Sequence, residues 1–158
     1  MNIQSLTLLE VQPSQLYISE AKLIRVNAWL KPSDLGNFQP IPIKILDGIP
    51  VMTDGHTRAA AALRYGLTAV PLVEEDEDLD WEMYRRCVQA CRERKIFSPM
   101  DLLHRIINEK EYRKRWYSWC DKMQAEVLAE KKSELFYSAC PEFQKKAGWG
   151  ISFQGIYF

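Results

Sequence analysis

Five consecutive residues, Asp54-Gly55-His56-Thr57-Arg58, bring together groups that can bind and move phosphate. An expected strand runs into them and an expected helix begins near His56, so they stand where the chain enters a helix. The N–H groups of a helical first turn have no partner within the helix and carry the positive end of its dipole, which draws in an anion. Gly55 lets the main chain approach that anion, Arg58 adds a charge-assisted fork, and His56 adds a further donor. Gly55, His56, Thr57 and Arg58 are therefore the expected phosphate-binding stretch. Asp54, at the strand end, is placed to hold a magnesium ion or to orient a reacting hydroxyl.

The elements that must position this stretch can be read on either side of it. Leu8, Leu9 and Val11, before Pro13, suggest a short strand, and Ser19-Glu20 suggests the start of a helix that reaches about Leu30 and is stopped by Pro32. Ile41, Ile43 and Ile45 alternate with Pro42 and Lys44, the pattern of a strand with its proline at an edge or at its beginning. Asp47-Gly48 tolerates the positive φ of a two-residue hairpin turn, so Ile49, Val51 and Met52 should return antiparallel. Asp54 is the expected cap of the next helix, Ala59 to Leu63 favour that helix, and Gly66 suits its left-handed stop. Val70, Leu72 and Val73 then resume a strand around Pro71.

Beyond the acidic stretch Glu74 to Asp78 the pattern becomes helical, which divides the chain into an expected 1–78 domain and a 79–158 helical extension. Trp81, Tyr84, Val88 and Cys91 share a helical face behind Asp80. Ser98-Pro99-Met100-Asp101 is a variant capping box, with Leu103, Ile106 and Ile107 as the buried side of the helix it opens. Tyr112, Trp116, Cys120, Met123 and Val127 form a further stripe, and an aromatic tail ends at Ile156-Tyr157-Phe158. Cys87 and Cys91, one turn apart, are read as core thiols rather than as metal ligands with His104 and Cys120. Arg105, Lys110, Arg113, Lys114 and Arg115, interleaved with aromatics, are the nearest approach to a nucleic-acid face, but Glu109 and Glu111 dilute it.

Composition narrows the function classes. The 158 residues carry 21 Lys+Arg against 21 Asp+Glu, so no broad positive field exists to drive indiscriminate nucleic-acid binding. Hydrophobic residues make up 47% of the chain, enough for a core, and four scattered cysteines do not make a disulfide scaffold. The start lacks a basic-then-apolar leader and no run is long enough to span a bilayer, so the expectation is a cytoplasmic protein without a membrane partner.

The element order, with Leu46-Asp47-Gly48, Asp54-Gly55-His56-Thr57-Arg58-Ala59-Ala60-Ala61 and Gly66 before Val70-Pro71, resembles the ParB/sulfiredoxin-like fold from about Leu6 to Val73. The resemblance implies an α+β (mixed α/β) domain with a small mixed sheet, followed by a helical half, and a Gly-x-x-Arg segment that binds nucleotide phosphates. Sulfiredoxins carry a cysteine where this chain has Gly55, and chromosome-partitioning ParB proteins carry a glutamate after the glycine where it has His56. The Asp-Gly-His-x-Arg form looks closest to the ParB-like free-serine kinases, in which an acidic residue of the first helix serves as base. By position that residue is Glu20. The resemblance thus implies ATP, ADP or another nucleotide with Mg2+ and a small hydroxyl-bearing acceptor such as a free amino acid; the helical C-terminal half is expected either to cover the nucleotide pocket or to form a homodimer. The alternative is a non-catalytic ParB-like module that binds DNA or protein, with DNA the less favoured partner.

Overall fold

The computed structural model describes residues Met1 to Ala139, and the expected aromatic tail lies outside them. Two short parallel strands, β1 (Ile18–Ser19) and β5 (Ile106–Ile107), pair in the register Ile18 to Ile106. A three-stranded sheet has the order β3-β2-β4, with β2 (Ile41–Leu46) in the centre, β3 (Ile49–Met52) antiparallel to it and β4 (Leu72–Glu74) parallel to it. Helices α1 (Glu20–Trp29) and α2 (His56–Arg64) pack against each other, and α3 (Trp81–Glu93) follows the acidic stretch. Beyond β5 come α4 (Glu109–Tyr112), a π-helical turn at Arg113–Tyr117 and α5 (Ser118–Ala139). The fold is mixed α and β, with small sheets and a helical later half.

Several expectations are met for the reasons given. The β2–β3 turn has Asp47 at φ 52° and Gly48 at φ 79°, the pair of positive angles that a twisted two-residue hairpin demands. Ser19 Oγ accepts from Lys22 N at 3.3 Å to open α1, and Asp80 Oδ1 accepts from Met83 N at 3.3 Å to open α3. Helix α2 closes with Gly66 N donating to Leu63 O and Leu67 N to Ala62 O, the double bond of a Schellman stop. Pro42 is the second residue of a strand that turns out to be central rather than an edge.

Other expectations are corrected. Leu8 to Val11 is not a strand: Leu8 and Val11 are buried while Leu9 is exposed, and the segment contributes one parallel bridge, Gln12 to Val51. Gln12 N donates to Pro50 O and Gln12 O accepts from Met52 N, so this bridge occupies the outer edge of β3. The helix opened at Ser98 is a six-residue 3-10 turn, Pro99–His104, with Asp101 Oδ2 accepting from Phe97 N and Ser98 N. Pro99 and Leu102 are its buried residues, and Ile106 and Ile107 leave it to form β5. In the last stripe Tyr112, Trp116, Met123 and Val127 are buried and Cys120 partly so.

The chain divides into two compact units, Met1–Trp119 and the part beginning at Cys120. The first unit runs past the boundary expected at residue 78 because its early and late segments are tied together. The β1–β5 pair, Gln12 Nε2 donating to Ile96 O at 2.8 Å and Arg105 Nε donating to Leu16 O at 2.6 Å all cross that point. Among the described residues no helix is long and apolar enough to cross a membrane.

Candidate functional site

The site grows from the end of β3. The hairpin register continued one step places Thr53 opposite Pro42, where Thr53 N donates to Pro42 O at 3.1 Å. Pro42 has no N–H to return, so the carbonyl of Thr53 is left for another donor. The Tyr84 hydroxyl of α3 supplies it at 3.1 Å. Thr53 Oγ1 also donates to Glu75 Oε2 at 2.8 Å, and Glu75 Oε1 accepts from Glu77 N, which folds the acidic stretch back along the strand end. The Tyr84 hydroxyl is held above its ordinary pKa first by burial, then by the neighbouring Cys87 thiol and by the Asp54, Glu75 and Glu77 carboxylates.

Asp54 does not cap α2, contrary to the sequence reading. The cap position belongs to Gly55, at φ 81°, and no side chain takes a first-turn N–H group there. Asp54 is exposed one residue earlier, outside the turn. Helix α2 therefore begins with its first-turn amides free of side-chain capping, the state that an anion would complete.

Arg58 reaches back over this opening. A Cβ built on Gly55 would stand 2.9 Å from Arg58 Nη2 and 3.3 Å from its Cζ, so the guanidinium lies on the face that glycine leaves bare. Arg58 Nη2 donates to Pro40 O at 3.4 Å, while Arg58 Nε is buried with no hydrogen-bond partner. A buried guanidinium donor without an acceptor is costly, and an anion is the kind of acceptor that would relieve it.

His56 is buried in the first turn of α2. It is 5% exposed, and its Nε2 accepts from Ser14 N at 3.0 Å. An accepting Nε2 fixes the neutral ring with its proton on Nδ1. Burial pushes its pKa down to about 4, with Asp54 pulling the other way and Arg58 adding to the depression. His56 is thus a neutral pin, not a cationic ligand. Ser14 completes the pin by donating from Oγ to Met52 O at 2.6 Å, so one residue holds both flanks of the Gly55 turn. Thr57 is partly exposed on the first turn.

Glu20 opens α1 and is exposed. Its end of the helix is engaged elsewhere: Ser19 Oγ donates to Glu109 Oε2 at 3.3 Å and Lys22 Nζ to Tyr117 Oη at 3.2 Å. No hydrogen bond or ion pair joins Glu20 to the Gly55–Arg58 turn among the described residues. Ser14 and Tyr84, which fix that turn, were missed by sequence reasoning because they stand far from it along the chain and belong to no motif.

Other candidates are absorbed by the fold. Cys87 and Cys91 are buried, and burial pushes the Cys91 thiol up to about 12 while its Sγ donates to Gln15 O at 3.5 Å. Among the described residues no group of three His, Cys, Asp or Glu side chains is placed to hold a metal ion. Arg113 and Arg115 pair with Glu109 and Glu111 one turn earlier, and Arg105 lies over the Tyr17 ring. A surface cavity of about 320 Å³ lies between the β2–β3 hairpin and α3, lined by Leu46, Ile49, Val51, Val88 and their charged neighbours. None of the Asp54–Arg58 residues lines it.

No family model matches the chain and no curated protein matches it. Among solved structures it is similar to the crystal structure of protein Atu1540 from Agrobacterium tumefaciens, at 13% identity and a TM-score of 0.38. The match covers 66% of this chain and 60% of that one.

Proposed function

We propose that this chain binds a nucleotide through its phosphates at the amino end of α2 and transfers a phosphoryl group to the hydroxyl of a small molecule such as a free amino acid. The reading starts from the resemblance of the Asp54–Arg58 box to ParB-like free-serine kinases. The observation that supports it best is the pairing of an uncapped α2 start with Arg58 Nε, buried and lacking an acceptor beside Gly55. Backbone amides of Gly55 to Arg58 and the Arg58 guanidinium would hold the phosphates, with Thr57 at the edge of the turn. His56 would keep the turn in shape. Asp54, exposed and beside the same turn, would hold Mg2+ or orient the acceptor, and Glu20 would take the acceptor proton. The exposure of Glu20 and its lack of a bond to the turn favour a second reading, a nucleotide-binding module without turnover. Cytoplasmic residence accords with both.

Calorimetry against ATP, ADP, CTP and GTP with magnesium tests the binding step. Arg58→Ala is expected to weaken the preferred nucleotide at least tenfold while leaving Tm within about 2 °C, since its one long hydrogen bond contributes little to the fold. No binding to any of the four refutes the proposal. Phosphate-transfer assays on free amino acids then separate the readings: the kinase loses turnover but not affinity on Glu20→Ala, and the module has no turnover to lose.

A further inference from the structure

The cavity between the β2–β3 hairpin and α3 has the make-up of a ligand site. Its volume of about 320 Å³ falls within the range of small-molecule pockets, which are apolar chambers with a few placed polar groups. The apolar part is Leu46, Ile49 and Val51 from the hairpin and Val88 from α3. On α3 the lining residues Arg85, Val88, Gln89, Arg92 and Glu93 recur at i, i+3, i+4, i+7 and i+8, so this wall is a single face of the helix.

Charge is spread unevenly along that wall. Toward the hairpin turn, Arg85 Nε meets Asp47 Oδ2 at 3.0 Å and Arg85 Nη2 meets Asp47 Oδ1 at 3.4 Å, so these two neutralise each other. Two turns further on, about 10 Å along the axis of α3, stand Arg92 and Glu93. Each is held by a neutral amide. Arg92 Nη1 donates to Gln12 Oε1 at 3.2 Å, with the guanidinium 5.3 Å from the centre of the Phe97 ring, and Glu93 Oε1 accepts from Gln89 Nε2 at 3.0 Å. Among the described residues neither has an oppositely charged partner. The lining therefore presents one cation and one anion, both without a counter-charge, at one end of an apolar chamber.

A fatty or aromatic acid would pair with Arg92 but set its carboxylate beside Glu93, and an apolar amine would set its charge beside Arg92. A molecule with both charges at one end and an apolar body satisfies both. The carboxyl end of α3 adds to this by favouring an ammonium beside Glu93. We infer that the cavity binds a free α-amino acid with an apolar side chain, its carboxylate on Arg92, its ammonium on Glu93 and its side chain against Leu46, Ile49, Val51 and Val88. This does not rest on the nucleotide reading, since none of the Asp54–Arg58 residues lines the cavity.

The test is calorimetry on the full chain with leucine, phenylalanine, 4-methylpentanoate and 3-methylbutylamine, the last two being leucine without its ammonium and without its carboxylate. Leucine or phenylalanine is expected to bind at one site, and each truncated analogue to bind about tenfold more weakly than leucine. Arg92→Gln should weaken leucine about tenfold and remove its advantage over 3-methylbutylamine, and Glu93→Gln should do the same against 4-methylpentanoate. Both side chains are exposed, so Tm should stay within about 2 °C in each variant. Failure of both amino acids to bind, analogues as tight as leucine, or an advantage that survives both substitutions overturns the inference. Leucine binding that survives them but is lost with Arg58→Ala puts the amino acid at the α2 turn and overturns it too. Sedimentation that shows a dimer dissociated by Ile49→Asp, with neither amino acid bound, gives this face to a second copy instead. A wild-type chain that binds leucine but no nucleotide upholds the inference and refutes the nucleotide reading alone.

Discussion

Lowering the pH from 7 to 4 should cost this protein ~3 kcal/mol of stability through His56 alone. The folded chain holds the imidazole neutral, buried and accepting from Ser14 N, with a pKa of about 4 against 6.5 for an unperturbed ring. Between those values the unfolded chain takes up a proton that the folded chain refuses. Stability is therefore flat above pH 6.5, falls as the pH drops toward 4, and levels off below that. At about 1.4 kcal/mol for each tenfold change in proton activity, the interval sums to ~3 kcal/mol. That is a large part of the ~5–15 kcal/mol that holds a domain of this size together. Urea denaturation at closely spaced pH values, on wild type and on His56→Gln, isolates the effect. Glu10 and Glu109, whose carboxyls are held below the usual range by Thr7 and by Arg113 respectively, titrate in both proteins and cancel in the difference. The stability of wild type relative to His56→Gln should fall by ~3 kcal/mol from pH 7 to 4. Curves that stay parallel to within ~0.5 kcal/mol across that range would show the ring free to protonate in place, and the pin would not exist.

Two further perturbations probe the same turn. Gly55→Ala puts a Cβ at φ 81° and within 2.9 Å of Arg58 Nη2 and 3.2 Å of Ile41 Cγ1, so it should lower stability by ~1–3 kcal/mol and weaken nucleotide binding as well. Denaturation and calorimetry on one preparation check both, and an unaltered midpoint would refute it. Tyr84→Phe removes the donor that replaces the missing Pro42 N–H, which should cost ~1 kcal/mol by thermal unfolding.

Local chemistry made much of this fold readable. The Asp47-Gly48 hairpin, the Ser19 and Asp80 caps and the Gly66 stop each depend on residues within a few positions of one another, and each is found where the sequence placed it. Two elements were misread because tertiary pairing overrode local pattern. Ile106 and Ile107 carry helical spacing but are drawn out of the 3-10 turn by pairing with β1, and Leu8 to Val11 bury their side chains without forming a ladder. The candidate site divides in the same way. The Gly55 turn and Arg58 were visible as a motif. The contact between Ser14 and His56 spans 42 residues, and no spacing rule anticipates that it makes the histidine an acceptor. Asp54 was misassigned because a glycine in the left-handed region takes the cap position itself.

The single bridge at Gln12 has a consequence for how copies of this chain can meet. A terminal strand ordinarily offers a row of unused N–H and C=O groups to which another chain can add. On β3 that row is closed. Pro50 has no N–H, its carbonyl is taken by Gln12 N, Met52 N is taken by Gln12 O, and Met52 O is taken by the Ser14 hydroxyl. Three residues of irregular chain and one proline therefore act as a stopper, and the segment that pins His56 from one side also closes the β3 edge of the sheet to a neighbour on the other.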